Sequence, residues 1–92
     1  MPITSVAQFE AILSRVLSQI DKELIERPSS PPLKEARRTL ERANTVAREP
    51  AKLKALKPAL LQTGEILRSE IPHDNELAEM TWDIIDYLEY QL

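Results

Sequence analysis

His73 is the chain's one imidazole, so it is the natural residue for metal or acid–base chemistry. Glu70 precedes it with Glu-x-x-His spacing, which di-iron four-helix bundles use when both side chains project from one continuous helix. Pro72 lies between the two residues and interrupts such a helix, and the second Glu-x-x-His pair of a di-iron site is missing. A phosphorylated His would need cationic neighbours, whereas this one lies in an acidic junction. We therefore predict an exposed His near a helix start, with no metal and no cofactor.

The sequence offers no nucleophile with a supporting base. Cysteine is absent, and the His is not paired with a Ser in a Gly-x-Ser-x-Gly context. A single Gly excludes glycine-rich phosphate loops. The carboxylates near the C-terminus lie on the solvated side of a helix, whereas paired-carboxylate catalysis needs a concave, partly dry site. We therefore predict that the protein is not an enzyme and has no catalytic residues.

Residues 74–92 hold the only Trp and both Tyr of the chain, and no Lys or Arg. On a helical projection, an apolar arc covers roughly half of the circumference. Its members are Leu77, Ala78, Met80, Ile84, Ile85, Tyr87, Leu88 and Leu92. The other two aromatic residues fall in the acidic arc instead, where Trp and Tyr are typical of contact hot spots and carboxylates steer a basic partner. The predicted protein-binding surface consists of Trp82, Asp83, Asp86, Glu89 and Tyr90.

Trp82 and Leu61 each need a separate interpretation. Trp82 borders the apolar arc near Ile85, so an alternative interpretation has a neighbouring helix cover its ring. Leu61 lies off the apolar face of its own helix among basic residues, and we assign it to another contact.

The outer face of the second helix is strongly basic, with Arg37, Arg38, Arg42 and Arg48. Like charges four residues apart, such as Lys34 and Arg38, mildly destabilise a helix, so their clustering indicates an anion or an acidic partner. Nucleic-acid phosphates are the alternative ligand. The net charge of −3 and the lack of interleaved aromatic residues disfavour nucleic acid. An apolar face made mostly of Ala and Leu disfavours a membrane surface.

Charge is segregated along the chain. Residues 34–68 carry a net charge of +5 and residues 69–92 carry −7, whereas residues 1–33 carry only −1. A domain of 92 residues has a modest core, so part of its apolar surface needs a second copy or a partner to cover it. The complementary segments and the small size together predict a homodimer.

One Gly, seven Pro and the absence of alternating apolar residues predict an all-α fold. We expect one domain over residues 1–92, with helices at about 5–26, 31–48, 51–70 and 74–92. Ser5, Ser30 and Asp74 are the expected N-caps of the first, second and fourth of these helices. Short linkers imply antiparallel neighbours, hence a four-helix up-down bundle or paired helical hairpins. Pro58 should kink or split the third helix near Leu56. Gly64 is costly inside a helix and is expected to mark a close helix crossing.

These observations predict a small non-catalytic protein–protein interaction module, an adaptor or regulator that forms a homodimer. One alternative is an acidic inhibitor or antitoxin-like regulator, whose C-terminal carboxylates imitate phosphates and occlude a basic enzyme site. The other alternative is nucleic-acid binding through the basic face of the second helix. No secretory signal, no apolar run of membrane-spanning length and no Cys occur, so we expect a cytoplasmic protein.

Overall fold

A computed structural model describes residues 3, 5–72 and 74–90, and these residues form helices and connecting turns without a strand. The helices are α1 (Val6–Glu26), α2 (Pro31–Thr45), α3 (Pro50–Ala55), α4 (Lys57–Glu70) and α5 (Asn75–Tyr90). The predicted all-α fold is confirmed. The predictions for His73 and Leu92 lie outside the described residues.

Three of the helices begin at the residues that the sequence marks as caps. Ser5, Ser30 and Asp74 each accept a hydrogen bond from the backbone N–H three residues further on, at 3.2, 3.5 and 2.8 Å. These bonds satisfy N–H groups that have no partner inside the helix. Pro31 follows its cap in the first position of α2, where a missing N–H is harmless.

Two helix boundaries depart from the expected ranges, and a proline explains each of them. The second helix ends at Thr45, short of the predicted residue 48, because Glu49 precedes Pro50 and adopts an extended conformation. The predicted third helix is split in two at Leu56, since Pro58 supplies no N–H and crowds the carbonyl one turn earlier. The splitting confirms one of the two expected outcomes for this segment.

The four long helices form a ring of neighbours. α1 packs against α2 and α5, α4 packs against the same two helices, and the short α3 contacts α4. This arrangement is the predicted four-helix bundle, with overall extents of 34 × 23 × 19 Å. It places α2 and α5, the basic and the acidic helix, at opposite corners.

The predicted apolar faces point into the bundle. Phe9 of α1 stacks on Tyr87 of α5, with ring centroids 4.7 Å apart, and both side chains are buried. Gly64 marks a close crossing of α4 and α5, as expected: a Cβ atom there would lie 3.0 Å from Thr81 Cγ2 and 3.2 Å from Ile85 Cδ1. Within the described residues, none of the helices combines the length and the apolar character required to cross a membrane.

Candidate contact surfaces

Trp82 borders a small groove between α4 and α5, which we call the tryptophan groove. It has a cavity volume of about 180 Å³, and its lining residues are Leu61, Gly64, Glu65, Arg68, Thr81, Trp82 and Ile85. The Trp82 side chain is 48% exposed and that of Leu61 is 39% exposed. The structure therefore brings the exposed Leu to the same groove as the Trp. The two belong to one surface, whereas the sequence suggested separate contacts.

The Trp82 ring is partly covered, and a cation provides the cover. The guanidinium carbon of Arg68 on α4 lies 5.5 Å from the ring centroid, within the range of a cation–π contact. The neighbouring helix therefore covers one side of the ring, in line with the alternative interpretation, while about half of the residue stays accessible.

The other predicted binding residues of α5 do not all share the flank that holds Trp82. Glu89 faces α4, where its carboxylate lies 3.5 Å from the Lys57 ammonium. Asp83 lies on the opposite flank and lines a depression between α5 and α1. Asp86 and Tyr90 lie between these flanks and are exposed, and the Tyr90 side chain is 77% exposed. The acidic face is therefore a ridge with two different sides.

The four arginines predicted as one anion site divide into two pairs. Arg37 turns toward α1 and donates to Asp21 at 2.6 Å and to Glu41 at 2.5 Å. The hydrogen bond to Asp21, helped by the charges of both carboxylates, raises the pKa of the Arg37 guanidinium. Arg48 also faces α1, with its guanidinium 3.1 Å from Glu10 Oε1.

The contact between Arg48 and Glu10 compensates a buried charge. Glu10 Oε1 is shielded from solvent and accepts no hydrogen bond from the described residues, so the nearby Arg48 charge compensates it. Arg37 and Arg48 therefore both pair with carboxylates on α1.

Arg38 and Arg42 instead face a second groove, between α2 and α3, which we call the basic groove. It has a volume of about 570 Å³, and its lining residues are Arg38, Glu41, Arg42, Thr45, Val46, Lys52, Ala55 and Leu56. Arg42 forms no ion pair with any described residue. Arg38 reaches Glu35 only at 3.5 Å, with both side chains well exposed. Sequence reasoning singled out these two arginines but did not identify the groove or the apolar residues beneath them.

Two carboxylates of the acidic helix α5 form ion pairs with cations on α1 and α4. Glu76 pairs with Arg15 of α1 at 2.5 Å, and Glu89 pairs with Lys57 of α4. Because α2 lies at the opposite corner, the basic and acidic helices do not neutralise each other within one molecule. Both charged surfaces face outward.

Among the residues that the structure describes, no three His, Cys, Asp or Glu side chains lie close enough together to hold a metal ion. A scan against protein-family models, a search of curated proteins and a search of solved structures each found no match to this chain.

Proposed function

We propose that this chain is a small, non-catalytic protein–protein interaction module, an adaptor or regulator, whose contact surface is the tryptophan groove. One observation carries the proposal: Trp82 and Leu61, from different helices, border one groove and are 48% and 39% exposed. Trp is among the residues most enriched at binding hot spots, and it contributes most when a partner completes its burial. Adjacent exposed apolar side chains in a groove are typical of an interaction surface.

The ridge beside the groove defines the chemistry of the partner. Trp82, Asp86 and Tyr90 follow one another at four-residue intervals, so they are neighbours along one side of α5. Asp86 forms no ion pair with a described residue and is exposed. The partner we expect carries an apolar side chain for the groove and a Lys or Arg for this carboxylate.

The homodimer stays a prediction, and the fold restricts how it can form. A two-fold dimer brings the same patch of both copies together. Because α2 and α5 lie at opposite corners, a two-fold contact between the outer faces of both helices at once is not available. A two-fold dimer that uses the proposed contact surface would instead bring together two tryptophan grooves, and analytical ultracentrifugation tests whether the chain associates in this way.

A capture experiment with matched baits tests the proposed surface. Leu61→Ser removes an exposed aliphatic side chain from the groove, and Ile25→Ser removes one from α1, where the side chain is 80% exposed. We expect a protein from the native cell that binds the wild-type and Ile25→Ser baits and is lost with Leu61→Ser. Equal capture by all three baits, with circular dichroism showing intact helices, would count against the groove.

The inhibitor alternative uses the acidic ridge without the groove. In that case the carboxylates of Asp83 and Asp86 imitate phosphates and occlude a basic enzyme site. The double variant Asp83→Asn with Asp86→Asn should then weaken binding to the captured partner and flatten its salt dependence. Unchanged affinity would dispose of this alternative.

Nucleic-acid binding is the less favoured alternative, because Arg37 and Arg48 are engaged by carboxylates of α1. It predicts a strongly salt-dependent gel shift with duplex or single-stranded oligonucleotides. The absence of a shift at low salt would eliminate it. The proposal includes no cofactor, and a cytoplasmic location fits a chain without cysteine.

A further inference from the structure

We propose that the basic groove between α2 and α3 is a second, separate binding site, which takes a carboxylate-rich peptide segment carrying an apolar side chain. This site does not depend on the tryptophan groove, because the two grooves have no lining residue in common.

The groove exists because the chain reverses between two helices. α2 ends at Thr45, the turn passes through residues 46–49, and α3 begins at Pro50. Val46, Ala55 and Leu56 supply an apolar lining, and Val46 and Leu56 also pack against the bundle core. A volume of about 570 Å³ falls within the range of ordinary ligand pockets and accommodates one or two side chains of a peptide.

The cations that border this apolar lining are suited to binding the carboxylates of a ligand. Arg38 and Arg42 follow each other one helical turn apart, and Lys52 contributes from α3. The only acidic side chain in the lining, Glu41, is already engaged by Arg37 at 2.5 Å. A planar guanidinium binds a carboxylate through two parallel hydrogen bonds, so Arg42, which has no ion pair with a described residue, is the natural anchor.

The lining favours a peptide over a nucleic acid. None of the residues that line the groove is aromatic, so bases would have no surface on which to stack. An apolar lining suits an aliphatic or aromatic side chain, whereas phosphates and sugars would leave it without a partner. The charge and the apolar lining therefore point to the same occupant, an acidic segment with an apolar residue.

Selection from a random decapeptide phage library on the immobilised full chain tests this site. We expect the selected peptides to be enriched in Asp and Glu that flank an aliphatic or aromatic residue. Their affinity for the double variant Arg38→Glu with Arg42→Glu should fall by about tenfold or more, because charge-assisted hydrogen bonds are lost. The neutral pair Arg38→Gln with Arg42→Gln should show a smaller loss in the same direction.

A control matched in charge separates the groove from general attraction. Lys22→Glu with Lys54→Glu changes the net charge by the same amount at two exposed positions outside the groove. Peptides selected on the wild type should bind this control with little change, and circular dichroism should show all variants to be helical.

Four results would overturn the proposal. The first is a selection that shows no enrichment in Asp and Glu. The second is a control variant that weakens peptide binding as much as the groove variant does. An oligonucleotide binds more tightly than the peptides and depends on the same two arginines, which would assign the groove to nucleic acid. Self-association in analytical ultracentrifugation is lost only in the groove variant, which would assign the groove to a second copy of the chain.

Discussion

The tryptophan groove and the basic groove show how one small bundle holds two chemically opposite surfaces. The first lies where α4 and α5 cross closely, has a volume of about 180 Å³ and exposes an aromatic ring next to the acidic ridge of α5. The second lies where the chain turns between α2 and α3, has a volume of about 570 Å³ and is bordered by arginines and a lysine. The two grooves have no lining residue in common, so opposite charges in one chain remain available for different partners.

The largest expected effect on stability comes from comparing a buried aromatic side chain with an exposed one. Phe9→Ala removes a buried ring that stacks on Tyr87, and it should lower the free energy of unfolding by about 3–5 kcal/mol. Tyr90→Ala removes an aromatic ring that is mostly exposed, so its effect should stay within about 0.5 kcal/mol. Denaturant titration measures both variants. Similar losses would mean that the outer face of α5 is needed for folding.

A smaller effect tests the tight floor of the tryptophan groove. Gly64→Ala gains helix propensity but places a methyl group 3.0 Å from Thr81 Cγ2, so we expect a net loss of about 1 kcal/mol. Thr81 has little freedom to move, because its hydroxyl donates to the Leu77 carbonyl at 2.8 Å. In a Thr81→Ser background the nearer of the two obstructing methyl groups is absent, so Gly64→Ala should then cost less. The same loss in both backgrounds would contradict the close crossing.

The cation above Trp82 provides a more local test. Arg68→Gln should cost about 0.5–1 kcal/mol and shift the emission of Trp82, the only tryptophan in the chain. Lys54→Gln, at an exposed position on α3, is the control and should leave the emission unchanged. An unchanged spectrum in Arg68→Gln would show that the guanidinium does not cover the ring.

The smallest expected effect distinguishes the two pairs of arginines on α2. Arg37→Gln removes two ion pairs and should lower the melting temperature, whereas Arg42→Gln should leave it unchanged. The raised pKa of Arg37 means that its stabilising contribution is complete below the ordinary pKa of arginine and is lost only as the pH rises through the raised value. The difference between the variants should therefore be the same at about pH 7 and about pH 9. Identical melting temperatures would contradict the division.

Local sequence signals predicted much of the fold, because caps, prolines and apolar periodicity act within one helix. Ser5, Ser30 and Asp74 begin their helices as expected, and Gly64 marks a real crossing. The pairing of helices was not predictable in the same way, since it depends on contacts between distant parts of the chain. That pairing explains why Leu61 joins Trp82 in one groove.

Arg27 is a second example of a contact that the local sequence does not predict. The sequence marks it only as the residue before Pro28, which ends the first helix. In the fold its guanidinium donates to the Glu70 carbonyl at 2.7 Å and to the Glu70 carboxylate at 3.0 Å. It thereby satisfies a carbonyl at the C-terminal end of α4, where helices leave such groups without partners. No spacing in the sequence connects the two residues, which are 43 positions apart.

Fluorine NMR of the protein labelled with 5-fluorotryptophan tests the central claim most directly, because Trp82 gives the only signal. In the free protein, we expect a solvent isotope shift between those of a buried and a fully exposed ring. Addition of the captured partner should reduce this shift toward the buried value, and Leu61→Ser should abolish that change while Ile25→Ser preserves it. A ring that is already fully shielded in the free protein, or equally accessible in the complex, would contradict the assignment of the tryptophan groove as the contact surface.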